Sequence, residues 1–224
     1  MTTPGRTRVV LATANRGKVA ELQRILAGAV ELVGIGAGYE PRPETGATFA
    51  DNALAKAREA VEHTGLPAVA DDSGLAVDVL NGMPGILSAR WAGRRAIGSP
   101  QERDRANLEL LLAQLADVPD ERRGAAFVCA AAYALPDGRS EVVLGELRGT
   151  LTREPRGTGG FGYDPLLVPA GLTATTAELA PAQKDAISHR GKAFRLLAPL
   201  LLAALDSPAA RATGSTTPPR RPSR

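Results

Sequence analysis

The feature that most constrains this chain is an apolar run, AAFVCAAAYAL over 125–135, that breaks at Pro136-Asp137-Gly138-Arg139 and resumes as SEVVLGELRG. Two strand-like segments joined by a short turn form a β-hairpin, so part of any sheet must be antiparallel. Upstream the pattern differs. RVVLAT at 8–13 reads as a buried strand, and the stretch after Asn15 places Val19, Leu22, Ile25 and Leu26 on one helical face. A second helix starts near Thr48, where Thr48 and Asp51 have capping-box spacing, and stops at Gly65-Leu66-Pro67. Strands are then expected in PAVADD and, separately, in GLAVDVL. Ser99-Pro100-Gln101-Glu102 opens a third helix through about Ala116, with Ser as N-cap, Pro at N1 and Glu at N3. A last helix runs from about Ser188 to Leu205, with a bend expected at Pro199. Early alternation followed by a hairpin predicts an α/β fold with a mixed sheet.

Composition removes several function classes. The 224 residues suit one domain or one body of two small lobes. A single cysteine, Cys129, excludes an intramolecular disulfide and a cysteine metal cluster, and its apolar strand marks it as inert packing. Two histidines, His63 and His189, exclude a multi-histidine metal site. No apolar run reaches the roughly 18 residues of a membrane span, and no signal-peptide pattern opens the chain, so a reducing, cytoplasmic setting is expected. Net charge is +3, and residues 206–224 carry four Arg against one Asp, so the body through Leu205 is neutral. That argues against a nucleic-acid-binding face, and eight aromatic residues are too few for a base-stacking platform. The tail from 206 to 224 lacks the apolar content to order itself.

Five segments could carry chemistry. Thr13-Ala14-Asn15-Arg16-Gly17-Lys18 joins a strand to a helix start, where free N–H groups and the helix dipole suit phosphate; an Asn N-cap with a solvated Lys is the plainer alternative. It is not a Walker A loop, since Val19 stands where the metal-binding hydroxyl would be. Glu44 precedes the second helix, where a carboxylate often only complements the dipole. Asn52 and Lys56 share one face of that helix at i,i+4 spacing. Adjacent acids Asp71 and Asp72 follow an apolar strand; if strand geometry persists they point to opposite faces, one toward a cleft and one toward the scaffold. The alternative for Asp72-Ser73-Gly74 is a turn.

The fourth segment, Gly157-Thr158-Gly159-Gly160-Phe161-Gly162-Tyr163-Asp164-Pro165, combines glycines that permit close approach with rings that can stack on a base. It matches GxGxxG by letters, but no buried strand precedes it and Asp164-Pro165 cannot open the required helix. In the fifth, Lys184 to Gly191, Ser188 is a plausible N-cap, which leaves Arg190 in a first turn against the helix dipole, a placement that hints at an anionic or carbonyl ligand. His189 read alone is a satisfied imidazole. A nucleoside triphosphate with Mg²⁺ would use all five segments.

ATANRGKVAEL, ETGATFADNALAKA, ADDSGLAVDVLNGMPGILSARWAG, GTGGFGYDP and ISHRGKA resemble, in order, the inosine/xanthosine triphosphate pyrophosphatase family, from about Val9 to Leu205. The resemblance implies an elongated mixed β-sheet flanked by helices, in two lobes with a nucleotide cleft between them, as a single domain over 1–205. It implies a homodimer. It also implies hydrolysis of ITP, dITP and XTP to the monophosphate and pyrophosphate with Mg²⁺. Residues Thr13 to Lys18 would hold phosphates, with Lys56 and Ser73. Asp72 would accept the proton and bind metal with Glu44. Phe161, Gly162, Tyr163 and Asp164 would frame base and ribose, and Lys184, His189 and Arg190 would contact the purine. Many members have Gly where this chain has Ala14, which costs about 1 kcal/mol if that position needs a positive φ. The rival readings are a nucleotide-binding sensor without catalysis and a nucleic-acid binder acting through the arginine tail.

Overall fold

The computed structural model describes residues 7–12, 30–36, 38–93 and 98–207. The expected phosphate loop at 13–18, the helix after it and the tail beyond Ser207 lie outside the described residues.

A mixed six-stranded sheet runs in the order β2-β1-β3-β4-β5-β6. β1 (Arg8–Leu11) lies parallel to β2 (Glu31–Gly34) on one side and to β3 (Ala68–Val77) on the other. From β3 onward every pairing is antiparallel, through β4 (Gly124–Ala134), β5 (Ser140–Leu151) and β6 (Leu167–Pro169). The hairpin is therefore present as expected, and β3 is where parallel pairing gives way to antiparallel pairing. The short strands β2 and β6 have no counterpart in the sequence reading.

Among the described residues four α-helices accompany the sheet: α1 (Phe49–Thr64), α2 (Pro100–Gln114), α3 (Pro181–Ile187) and α4 (His189–Asp206). Their starts obey local chemistry. Thr48 and Asp51 cap α1 reciprocally, as Ser99 and Glu102 cap α2. Gly65 ends α1 in the left-handed conformation at φ 68°. α4 begins at the Ser188 N-cap, whose hydroxyl accepts from Gly191 N–H at 2.9 Å, and continues through Pro199 as one helix. The seven-residue α3 was not anticipated.

Strand alternation divides the core. On one face Val69, Cys129, Ala131 and Tyr133 pack against Ala193, Phe194, Leu197 and Leu201 of α4. On the other, Ala68, Ala70, Ala130, Ala132 and Ala134 meet Ala53, Ala57 and Ala60 of α1. Alanine against alanine lets this helix sit close to the strands. A third cluster, with Leu108, Leu111 and Leu115, gathers Leu75, Phe127, Tyr163 and Leu166. Beside it Arg123 is wholly buried, donating to the carbonyls of Leu115, Leu151 and Thr152 at 2.7–3.0 Å. Those acceptors engage each of its three nitrogens and fasten the end of α2 to the sheet.

One expectation is corrected. PAVADD and GLAVDVL are not two strands broken by a turn; residues 68–77 form one ten-residue strand, followed by a 3₁₀ turn at Asp78–Leu80. Every residue of β3 is paired with β4, from Ala68 opposite Ala134 to Val77 opposite Ala125. Continuous pairing outweighs the local turn preference of Asp-Ser-Gly.

Candidate active site

Because β3 is unbroken, Asp71 and Asp72 project to opposite faces. Each then meets a different set of partners.

Asp72 points to the α1 face and is buried. Asn52 Nδ2 donates to its Oδ2 at 3.0 Å, and Lys56 Nζ lies 3.0 Å from its Oδ1. The i,i+4 pair on α1 thus reaches one carboxylate. Lys56 also pairs with Glu44, whose second oxygen is 3.0 Å from Arg90 Nη1. Two carboxylates from separate segments therefore grip a single ammonium. Burial alone would lower the Lys56 pKa, but the charge of Asp72 and the hydrogen bond and charge of Glu44 raise it above the ordinary value. Burial alone would raise Glu44, but Lys56 and then Arg90 hold it below the ordinary carboxylate range.

Asp71 points to the α4 face and is more deeply buried than Asp72. Arg190 Nε lies 3.2 Å from its Oδ2, and Ser73 Oγ donates to the same oxygen at 3.3 Å. Ser73 in turn accepts from Arg190 Nη2 at 3.0 Å, so its hydroxyl serves the Asp71–Arg190 pair and lies on the face away from Asp72. Cys129 Sγ is 4.0 Å from the same Asp71 oxygen, at the edge of the packed α4 face.

Arg190 leads to the glycine-aromatic loop. Its guanidinium carbon lies 5.9 Å from the centre of the Phe161 ring, and Lys184 Nζ lies 5.4 Å from it. The ring is 47% exposed, an aromatic surface flanked by two cations. Asp164 builds this arrangement from beneath. It is 3% exposed, and Oδ2 accepts from Phe161 N–H at 2.8 Å and pairs with Lys184 at 2.5 Å, while Oδ1 accepts from Thr176 Oγ1 at 2.9 Å. Gly160 has φ 76°, and a Cβ there would collide with the Asp164 carboxylate. Gly162 N–H donates to Asp104 Oδ2 at 2.8 Å. Tyr163 turns inward and gives its hydroxyl to Ser88 O at 3.0 Å, with burial pushing its pKa far up. His189 is buried and stacks on Phe127 with centroids 5.1 Å apart.

The structure thus joins Glu44, Lys56 and Asp72 on one face of β3. It joins Ser73, Phe161, Asp164, Lys184 and Arg190 on the other, with His189 beside Arg190 at the start of α4. Arg90, Asp71 and Asp104 also take part; none of them carried a role in the sequence reading. Only Asp71 had a local signal, its place beside Asp72. Among the described residues no three His, Cys, Asp or Glu side chains converge as a metal site.

A mixed α/β sheet that combines a carboxylate–lysine cluster with a cation-flanked ring has the chemistry to engage a nucleoside phosphate. The Ham1 family model matches residues 9–200, and the chain belongs to that family. It is 64% identical over 203 residues to the dITP/XTP pyrophosphatase of Frankia alni, covering 89% of this chain and all of the relative. It is 62% identical over 201 residues to the dITP/XTP pyrophosphatase of Streptomyces coelicolor, covering 87% and 97%. The crystal structure of the nucleoside-triphosphatase / dITP/XTP pyrophosphatase from Mycobacterium abscessus superimposes with a TM-score of 0.70 at 55% identity, covering 87% of this chain and 100% of that one. A HAM1 protein structure from Coxiella burnetii gives 0.79 at 38% identity, covering 88% and 99%.

Proposed function

We propose that this chain hydrolyses non-standard purine nucleoside triphosphates, ITP, dITP and XTP, to the monophosphate and pyrophosphate, and so cleanses the nucleotide pool. The observation that carries the reading is that one strand bears both halves of the site. Asp72 joins the Glu44–Lys56 cluster, and two residues around it on the other face engage Arg190 beside Phe161.

The donor set fits Mg²⁺. The two hard carboxylates of Glu44 and Asp72 converge on one point, where the Lys56 ammonium contacts both. Mg²⁺ is commonly held by one or two carboxylates plus substrate phosphates, so Glu44 and Asp72 would hold it. When bound it offsets the charge that develops on the leaving pyrophosphate.

The protein residues then have defined tasks. Pyrophosphate leaves intact only if water attacks the α-phosphorus. Asp72 accepts the proton of that water, its carboxylate aimed by Asn52 and Lys56. Lys56 keeps its proton well above neutral pH and supplies fixed positive charge toward phosphate. Thr13 to Lys18 bind the phosphate chain, and Ser73 holds Arg190 in place as well as bordering the ligand. The purine lies on Phe161, framed by the 162–164 backbone, with Lys184, His189 and Arg190 around its edge. Donors at the 6-oxo position face an amine in adenine, and an unpaired buried donor costs about 1–3 kcal/mol, roughly 5- to 150-fold. We read residues 1–205 as one domain of two lobes about β3, supported by the separate hydrophobic clusters around α1 and α4 and around α2. A homodimer in the cytoplasm completes the proposal; no helix among the described residues is long and apolar enough to cross a membrane.

The test is an assay of ITP, dITP, XTP, ATP and GTP with identification of the products. Monophosphate and pyrophosphate are expected, with ITP or XTP favoured over ATP and GTP by at least about tenfold in kcat/KM. Diphosphate and phosphate would overturn the site of attack. Tight ITP binding without pyrophosphate release would establish the non-catalytic sensor instead.

A further inference from the structure

We infer that Asn52 is a positioning residue that fixes the spacing between Glu44 and Asp72; the inference rests on the catalytic reading above. Asn52 is 2% exposed, and its amide is used at both ends. Nδ2 donates to Asp72 Oδ2 at 3.0 Å, and Oδ1 accepts from Gly46 N–H at 2.8 Å. These bonds assign the amide orientation, since neither partner accepts the reverse: a carboxylate oxygen needs a donor and a backbone N–H needs an acceptor.

The amide therefore ties the segment carrying Glu44 to the strand carrying Asp72. Glu44 and Gly46 precede the Thr48 cap of α1, and Asn52 reaches back from the first turn of that helix. Lys56, one turn later, contacts both carboxylates. Lys56 supplies attraction between the two acids, and Asn52 sets the geometry in which one cation spans them. Gly46 is part of the same latch. A Cβ there would lie 2.5 Å from Asn52 Oδ1 and 2.7 Å from the Asp51 Cβ, so no side chain fits while the bond is made.

The neutral amide suits this task. A carboxylate at position 52 would face Asp72 like-charge to like-charge, and an ammonium would compete for the point where the acids converge. Asn offers one donor and one acceptor without net charge.

Two variants test the inference from opposite ends: Asn52→Ala removes the amide, and Gly46→Ala keeps the amide but displaces the Gly46 N–H that donates to it. Both are measured as full-length protein after thermal unfolding confirms a cooperative fold. We expect kcat for ITP to fall about 10- to 100-fold in each, with KM for ITP within about threefold. The Mg²⁺ concentration for half-maximal rate should rise about tenfold, and Mn²⁺ affinity without nucleotide, followed by electron paramagnetic resonance, should fall in parallel. If folded Gly46→Ala or Asn52→Ala keeps kcat, Mg²⁺ dependence and Mn²⁺ affinity within twofold of the parent, Asn52 is only filling space and the inference is overturned. Because the parent enzyme is assayed alongside, absence of ITP turnover in the parent would instead refute the catalytic reading.

Discussion

Asp71→Asn isolates the buried ion pair without opening a cavity, because the two side chains are nearly the same size. Asp71 is 2% exposed and Arg190 4%, so neither charge can turn to water. Removing one partner of such a pair costs about 3–5 kcal/mol, most of it the penalty of an uncompensated buried charge. In a domain of this size about 1 kcal/mol moves the melting temperature by about 2–4 °C, so the expected fall is about 6–20 °C. Ser73, which bridges the pair at 3.0 and 3.3 Å, cannot replace the lost charge. The function should shift in a particular way: Arg190 loses its tether beneath Phe161, so KM for ITP rises more than kcat falls. The assay is thermal unfolding at pH 7 of Asp71→Asn, Arg190→Gln and the double variant, with ITP kinetics on each. The double variant should lose less than the sum of the singles, with a coupling of about 2 kcal/mol. A single variant melting within 2 °C of the parent, or additivity within about 0.5 kcal/mol, would refute the argument that this pair holds the site together.

Asp72→Asn should lower kcat for ITP by about 10²–10⁴-fold while ITP binding, measured by calorimetry, stays within a few-fold; near-normal turnover would remove Asp72 from the proton-accepting role. Glu44, held below its ordinary value of 4.5, contributes stability that is present above that pH and lost as pH falls through its folded-state pKa. Glu44→Gln should therefore flatten the acid limb of the melting-temperature profile, and an unchanged acid limb would contradict the pairing. Lys56, raised above 10.5, contributes stability present below that pH and lost as pH rises through its folded-state value, so Lys56→Met should flatten the alkaline limb. Gly160→Ala should raise KM for ITP about tenfold, since a left-handed non-glycine residue costs about 1–2 kcal/mol and the added carbon displaces Asp164; unchanged KM would show that the loop does not position the ligand.

Local signals made much of this fold legible. Thr48 with Asp51 and Ser99 with Glu102 announce two helix starts because capping chemistry is complete within four residues. The hairpin follows from its turn, and the opposed directions of Asp71 and Asp72 follow from strand alternation alone. What escaped is non-local. Nothing near Asp72-Ser73-Gly74 reveals that β4 pairs along the whole length of β3 and suppresses the turn. Arg90 meets Glu44 across 46 positions, and Gly162 meets Asp104 across 58. Arg123 looks like any surface arginine in its Glu-Arg-Arg-Gly context, and only the assembled carbonyls around it explain its burial. The short strands β2 and β6 carry too few residues to display a period.

The unbroken run of β3 also sets a tolerance. Side chains on a strand alternate with every residue, so one inserted or deleted position between Val69 and Asp71 would exchange the environments of the two neighbouring acids wholesale. Each acid would then face the other's partners, an alanine-lined helix for one and an arginine for the other. Loops nearby can lengthen, shorten or breathe without such an inversion. The rigid rod between the two chemistries works as a ruler, and its graduations are peptide bonds.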